Sequence, residues 1–439
     1  MVKITFMGAG STIFARNIIG DCMCVESLRE SEFALYDNDP VRLRESAGIL
    51  ANINEGLGGY GKITTYLGLE KRRDALRGAK FVVNAIQVGG YDPCTIIDFE
   101  VPKKYGLLQT MGDTLGIGGI MRGLRTIPVL ESFANDMSEV CPDAWFLNYT
   151  NPMAILSGYM QRYTSIKTVG LCHSVQTCSA DLLAHAGMKE KIEGRRDFIA
   201  GINHMAWLLK IEDKDGKDLY PDIKKIVKEK INEKDFSDKV RFDYIDKFGY
   251  YFTESSEHNA EYNMFYIKSK YPELIEKYNI PIDEYPRRCI NQIEGWKKEY
   301  EEIKNAAVSQ HIRSHEYGSY IMEAVVRDKP YQIGGNVINK GFIENLPADA
   351  CVEIPCLVNG TGISGTYVGK LPVQCAAMNI TNINPQLLTI EAAVTKKKEH
   401  IYQAAMLDPH TGSELDIDTI IKMVDELIEA HEDWLPKYN

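Results

Sequence analysis

The run Val2-Lys3-Ile4-Thr5-Phe6-Met7, followed at once by Gly8-Ala9-Gly10-Ser11-Thr12, constrains the fold more than any other stretch of the chain. A short β-branched and apolar run reads as a buried strand. The glycines after it read as a tight turn into a helix. An amphipathic stretch continues to about Val25, and Phe33-Ala34-Leu35-Tyr36 reads as a second strand ending in Asp37. The order is strand, glycine turn, helix, strand, acid. In such a unit the first glycine permits the turn and the second lets backbone approach a pyrophosphate at a helix N-terminus. Gly8, Gly10, Ser11 and Thr12 are therefore candidate dinucleotide contacts, and Asp37 is placed to take ribose hydroxyls. An acid there favours NAD over NADP. Ile13 stands where the usual third glycine would be. The competing reading is a glycine turn in an ordinary α/β sheet.

The same alternation continues. Helices are expected over Leu43 to Leu57, Leu69 to Arg77, Ile96 to Tyr105 and Ile120 to Val140. Strands are expected at Ile63–Tyr66, Lys80–Ile86, Trp145–Leu147 and Thr168–Leu171. To about residue 190 this predicts a doubly wound sheet. Near Phe198 the pattern changes. Phe198 to Ile211 reads as a strand pair with Asn203-His204 inside. Asp215-Gly216 reads as a hairpin turn between Leu208–Ile211 and Leu219-Tyr220. Residues 222 to 248 are charged with helical spacing, and a long polar helix should follow Pro286-Arg287-Arg288 to about Ala307. Strands are expected over Tyr331 to Asn345 and Ala350 to Val358, with helices otherwise to Trp434. The expected class is α/β: an N-terminal Rossmann-like doubly wound sheet over 1–195 and a C-terminal α+β domain over 196–439. That is a lactate/malate dehydrogenase-like architecture, with the second part carrying substrate, metal and oligomer contacts.

Composition excludes several classes. Over 439 residues the net charge is -11, without a basic face for nucleic acid or an anionic membrane. No stretch approaches the roughly 18 apolar residues of a spanning helix. The N-terminus shows no charged-then-apolar signal pattern. The ten cysteines are scattered with no CxxC pair, which reads as reduced thiols. A soluble cytoplasmic protein is expected.

Two clusters carry the chemistry. Cys172-His173 ends the strand Thr168–Leu171, and Asn203-His204 lies in the later strand pair. Thiolate and neutral imidazole suit a borderline divalent ion, and two protein ligands would leave positions open for substrate. The bland reading is a buried thiol and a satisfied core histidine. His173 is suited to acid/base work near neutral pH. Asp113, in a glycine-rich loop from Met111 to Gly119, is either a ligand-facing acid or a helix N-cap. Asn151-Pro152 is a turn by default, though an Asn there can face nicotinamide and substrate. The segment from Glu254 to Tyr262 is unusually polar after an aromatic strand.

Taken together, Gly8-Ala9-Gly10-Ser11, Asp113-Thr114-Leu115-Gly116, Asn151-Pro152, Cys172-His173-Ser174-Val175, Asn203-His204, Ser255-Ser256-Glu257-His258 and Leu407-Asp408-Pro409-His410-Thr411 occur in register. This set resembles glycoside hydrolase family 4, and within it the α-galactosidases of the melibiase type. The resemblance covers essentially the whole chain. It implies hydrolysis of terminal α-galactosides such as melibiose, with NAD and Mn²⁺ or another divalent metal. It also implies oxidation at sugar carbon 3, proton loss at carbon 2, elimination of the glycosidic oxygen, addition of water and return of the hydride. The paired-carboxylate scheme of other glycosidases does not apply.

Residue by residue, the resemblance makes Cys172 and His204 metal ligands, Asn151 a sugar contact, and Arg287 or Arg288 a substrate contact. His173 stands where the α-6-phosphoglucosidases of the family carry an aspartate acid, which makes it the proton donor. Tyr262 becomes the base, with Tyr251 as the alternative. Asp113 becomes the acid that raises the basicity of that tyrosine. A homodimer or homotetramer is expected. Competing functions are α-galacturonidase or α-glucosidase within the family, a 2-hydroxy-acid dehydrogenase, or a non-catalytic dinucleotide-binding protein.

Overall fold

In a computed structural model, residues 1–305 and 311–439 are described. Six parallel strands come first: β1 (Lys3–Met7), β2 (Glu32–Asp37), β3 (Lys62–Leu67), β4 (Phe81–Asn84), β5 (Trp145–Asn148) and β6 (Lys167–Gly170). Their spatial order is β3-β2-β1-β4-β5-β6, the dinucleotide-fold order in which the direction of winding reverses beside β1. The strands are short apolar runs because helices cover both faces. Ile4, Phe6, Phe33, Leu35, Phe81, Val83 and Leu147 are all fully buried.

The sheet does not end at β6. It continues through six further strands: β7 (Arg196–Ile202), β8 (Met205–Glu212), β9 (Tyr251–Phe252), β10 (Tyr331–Ile338), β11 (Cys351–Asn359) and β12 (Gly362–Gly365). β10 joins β6 antiparallel where Asn336 faces Gly170, and the order runs on as β11, β7, β8, β9, with β12 on β11. A Rossmann-like parallel half and an α+β half thus share one twelve-stranded sheet. Two helices from the C-terminal part, Val373–Thr395 and Lys398–Leu407, pack back on the helix Gly116–Val140 of the first half, and a third, Ile417–Ala430, packs on the helix Ile96–Lys104.

Three expectations need correction. The turn at Asp215-Gly216 forms, held by the Asp213 carboxylate accepting from the Asp215 and Lys217 amides, but no return strand follows. Only Glu212 and Asp218 bridge, and Tyr220 already starts a helix with Pro221 in its first turn. β10 stops at Ile338 instead of running to Asn345. The next residue, Asn339, draws the chain into a loop: its amide donates to the carbonyls of Ile343, Leu346 and Pro347, and its oxygen accepts from the Ile343 amide. The polar helix begins at Glu284, ahead of Arg287 and Arg288 rather than after them, and is described to Asn305. Ala306 and Ala307, where it was expected to end, lie outside the described residues.

Candidate active site

The glycine turn closes against its neighbours. Gly8 has φ +84°, and a Cβ there would sit 2.8 Å from the Ala85 carbonyl oxygen, so only glycine fits. The Gly8 and Ala9 amides donate to the Tyr36 carbonyl, and the Asp37 carboxylate accepts from the Gly10 amide at 2.6 Å. Ser11 caps the helix Thr12–Met23 without a side-chain capping bond. The first-turn amides of that helix could therefore receive a phosphate. Thr12 Oγ1 is turned inward, donating to the Gly10 carbonyl and accepting from Ser46.

Cys172 follows β6, and His204 sits in the tight turn between β7 and β8. Glu254 comes two residues after the edge strand β9. One ligand atom from each of these three lies within 4.8 Å of the others, the cluster of this kind found among the described residues. A thiolate, an imidazole and a carboxylate make a suitable donor set for a divalent ion. The chain is strained to assemble it. His204 has φ +63° and Glu254 φ +61°, left-handed values that cost about 1–3 kcal/mol each and collect at functional sites.

Electrostatics bind the group together. Burial alone would lower the His204 pKa, but the Cys172 thiolate and the Glu254 carboxylate outweigh it and hold it up at about 10. Burial would raise Glu254, but His258 and His204 outweigh it and hold it down at about 2. The backbone is fixed from behind. Glu353, fully buried on β11, accepts from Asn203 at 3.2 Å and from Asn336 at 3.0 Å. The Tyr317 hydroxyl donates to the Cys172 carbonyl at 2.8 Å.

Tyr262 ends the short helix Ser256–Glu261, and its hydroxyl lies 3.1 Å from His204 Nδ1. Burial, then the charges of Asp113, Glu261 and Glu254, push its pKa well above the usual phenol value. Asp113 lies near enough to act on Tyr262 and His204 through its charge, and accepts from Thr114 at 2.7 Å. Its loop is locked to the same helix. Glu261 accepts from the amides of Thr110, Met111 and Gly112, and Thr110 donates to the Glu257 carbonyl. The loop also packs tightly on the helix that follows: a Cβ on Gly118 would stand 2.1 Å from the Gly112 oxygen.

His173 pairs through Nε2 with the Glu316 carboxylate and sets its ring edge-on to Phe14, in the helix after the glycine turn, at 5.4 Å. Asn151 places a buried side-chain oxygen with no hydrogen-bond partner among the described residues, an acceptor left unsatisfied. Arg288 pairs with Glu257 and Glu284, which ties it to the Tyr262 helix. Arg287 pairs only with Glu284 among the described contacts, and its side chain is 64% exposed. Tyr251, the alternative base, belongs to another network: its hydroxyl donates to Asp238, under the Arg241 guanidinium. The sequence reading assigned no role to Glu254, His258, Glu261 or Glu316. The dense polar run 254–262 signalled the first three. Glu316 meets His173 across 143 positions, and no spacing rule reaches that far.

The glycine turn follows β1 and Cys172 follows β6, both at the carboxyl edge of the parallel strands, where enzymes of this fold class hold ligands, and His204, Glu254 and Tyr262 gather beside Cys172. Residues 3–188 match the model of the family 4 glycosyl hydrolases, and residues 199–411 match that of the family 4 glycosyl hydrolase C-terminal domain. An α-galactosidase of Bacillus subtilis (strain 168) is 58% identical over 438 residues, covering 100% of both chains. An α-galactosidase of Rhizobium meliloti (strain 1021) is 34% identical, covering 99% of this chain and 89% of its own. In fold, the chain resembles a 6-phospho-α-glucosidase from gut microorganisms solved in complex with NAD and Mn²⁺. That likeness has a TM-score of 0.83, 19% identity and full coverage of both chains. The chain belongs to glycosyl hydrolase family 4.

Proposed function

We propose that this chain is an NAD- and divalent-metal-dependent α-galactosidase acting on terminal α-galactosides. The observation that carries the reading is the end-to-end 58% identity with a Bacillus subtilis α-galactosidase, on a chain whose Cys172, His204 and Glu254 converge. The donor set fits a divalent ion such as Mn²⁺, and the glycine turn with its open helix terminus fits NAD. When bound, NAD⁺ supplies a hydride acceptor and the ion supplies Lewis acidity at neighbouring sugar oxygens.

The chain does the rest. Gly8, Gly10, Ser11 and Thr12 shape the pyrophosphate seat, and Asp37 keeps carboxylate lone pairs for ribose hydroxyls. Cys172 and His204, with Glu254 beside them, hold the ion. The orphaned Asn151 oxygen accepts a sugar hydroxyl. The Tyr262 oxygen takes the proton from carbon 2, and the Asp113 charge raises its basicity. His173 hands a proton to the departing glycosidic oxygen. Arg288, held beside Glu257, is better placed than Arg287 to meet substrate. The division into 1–195 and 196–439 is supported by the gap between the two family matches. A cytoplasmic location is supported by ten free cysteines with no disulfide. Among the described residues no helix is long and apolar enough to cross a membrane. A homodimer or homotetramer is expected, and light scattering would read it.

The test is hydrolysis of p-nitrophenyl α-galactoside by metal-stripped protein under reductant, with NAD⁺ and Mn²⁺ added singly and together. Activity only with both is expected. Activity with neither would overturn the mechanism, and cleavage of an α-galacturonide instead would change the sugar and keep the mechanism.

A further inference from the structure

Glu316 is the first residue to consider beyond the motifs. It lies just before the helix Tyr317–Arg327, and its carboxyl is buried, with the side chain 6% exposed. A buried carboxylate needs donors for both oxygens. Oε2 meets His173 Nε2, and Oε1 accepts from the Tyr149 hydroxyl at 2.7 Å. A helix-capping contact from the Gly318 amide is longer, at 3.4 Å. Glutamate is not among the favoured N-cap types, and capping would need only one oxygen. The second oxygen is committed to a histidine that is itself 47% exposed. The buried partner holds Nε2 of a half-exposed ring, and Nδ1 has no hydrogen-bond partner among the described residues. The next residue, Tyr317, grips the Cys172 carbonyl. One helix terminus thus holds both His173 and the residue before it.

We infer that Glu316 is a positioning residue for the glycosidic bond-breaking step, fixing His173 with Nε2–H toward its carboxylate so that Nδ1 is the nitrogen that serves the leaving group. This rests on the proposed role of His173 as proton donor. In that step the bond between carbon 1 and the glycosidic oxygen breaks with its electron pair on oxygen. Nδ1 gives that oxygen the proton, and the ring is left neutral with Nε2–H still on Glu316. The arrangement follows the general logic by which a carboxylate orients a catalytic imidazole and selects its tautomer.

The test uses the holoenzyme and two substrates. Melibiose has a poor leaving group that needs a proton, and p-nitrophenyl α-galactoside has a good one that does not. Glu316→Gln keeps the shape and one acceptor oxygen. It is expected to lower kcat/KM on melibiose by about 10²-fold and on the aryl galactoside only a few-fold, consistent with loss of general acid help. Equal loss on both substrates would overturn the inference, because a merely structural defect is blind to the leaving group. His173→Gln should show the same selective loss. If it loses activity equally on both, the proton-donor reading itself fails and takes the inference with it. Selective loss in His173→Gln without it in Glu316→Gln overturns the inference alone. A second measurement needs no Glu316 variant: ¹⁵N NMR of histidine-labelled wild-type protein, with His173 assigned by its disappearance in His173→Gln. Wherever the ring carries a single proton, that proton is expected on Nε2, and a singly protonated ring with its proton on Nδ1 would overturn the inference.

Discussion

Cys172, His204 and Glu254 come from a strand end, a hairpin turn and a loop past an edge strand, with Tyr317 holding the Cys172 carbonyl and Glu353 holding Asn203 beside His204. Replacing Cys172 by Ser exchanges a soft thiolate for a hydroxyl that stays protonated at neutral pH. The Mn²⁺ affinity, read by electron paramagnetic resonance of the free ion, is expected to fall at least about tenfold, since even indirect partners of metal ligands are worth that much. Mild oxidation of the wild-type protein should do the same, with recovery under reductant. Full metal-dependent activity in Cys172→Ser would remove the thiolate from the site. Tyr262→Phe deletes the hydroxyl 3.1 Å from His204 and nothing larger. Its kcat/KM should drop by about 10²–10⁴-fold. A sharper readout is exchange of the carbon 2 hydrogen of substrate or product with deuterated water, which the variant should lose. At this scale the sequence singled out residues that end strands or sit in dense polar runs. Cys172 stood out by its place after a strand and His204 by its place in a strand pair, and the structure brings the two together with Glu254, whereas Tyr262 was named only through the resemblance. Glu254 was visible only as one of several polar residues, because its left-handed backbone leaves no trace in residue type. Tyr251 and Tyr262 could not be separated by pattern, because the partner that removes Tyr251, Asp238, belongs to a different element.

Between elements, the main tie is a buried charge cluster. Asp98, on the helix Ile96–Lys104, accepts two bonds from Arg125 on the helix Gly116–Val140, at 2.6 and 3.1 Å. His431, at the end of the helix Ile417–Ala430, reaches the same carboxylate at 2.8 Å. Asp98 and Arg125 are 2% and 1% exposed. Arg125 also donates to the Val88 carbonyl, beside the glycines after β4. Asp98→Ala would leave a buried guanidinium without its counter-ion, which costs about 3–5 kcal/mol. Urea unfolding should show a loss of that size, and a loss below about 1 kcal/mol would mean that water or a rearranged neighbour takes over. The parallel strands and their helices were readable from short apolar runs between turn signals. Element ends were read less well: Asn339 ends β10 by gathering three carbonyls, which no turn motif signals, and Pro221 sits in the first turn of a helix where the Asp215-Gly216 turn pointed to a return strand.

Across the molecule, the glycine turn and Cys172 lie on one side of the β6–β10 junction, and His204 and Glu254 lie on the other, all in one sheet. The sequence reading anticipated two halves but not a shared sheet, since no periodicity shows that a strand near residue 336 pairs with one ending at 170. The C-terminal helices share a core cluster with the first half, joining Leu124, Phe133 and Phe146 to Ile401, Val424 and Leu427. Neither half can lose its packing without stripping apolar surface from the other. One heat-absorption transition is therefore expected in scanning calorimetry, although a chain of 439 residues would ordinarily melt in parts. Ligand should move that whole transition. A ligand at 100 times its Kd that binds only the folded state adds about 2.7 kcal/mol. NAD⁺ alone, seated on the first half, should shift the entire peak upward, and Mn²⁺ should shift it further through ligands drawn from both halves. Two resolved peaks, with only one moved by NAD⁺, would show that the shared sheet does not couple the halves. The position of His173 between Phe14 and Glu316 would then have to come from local contacts alone.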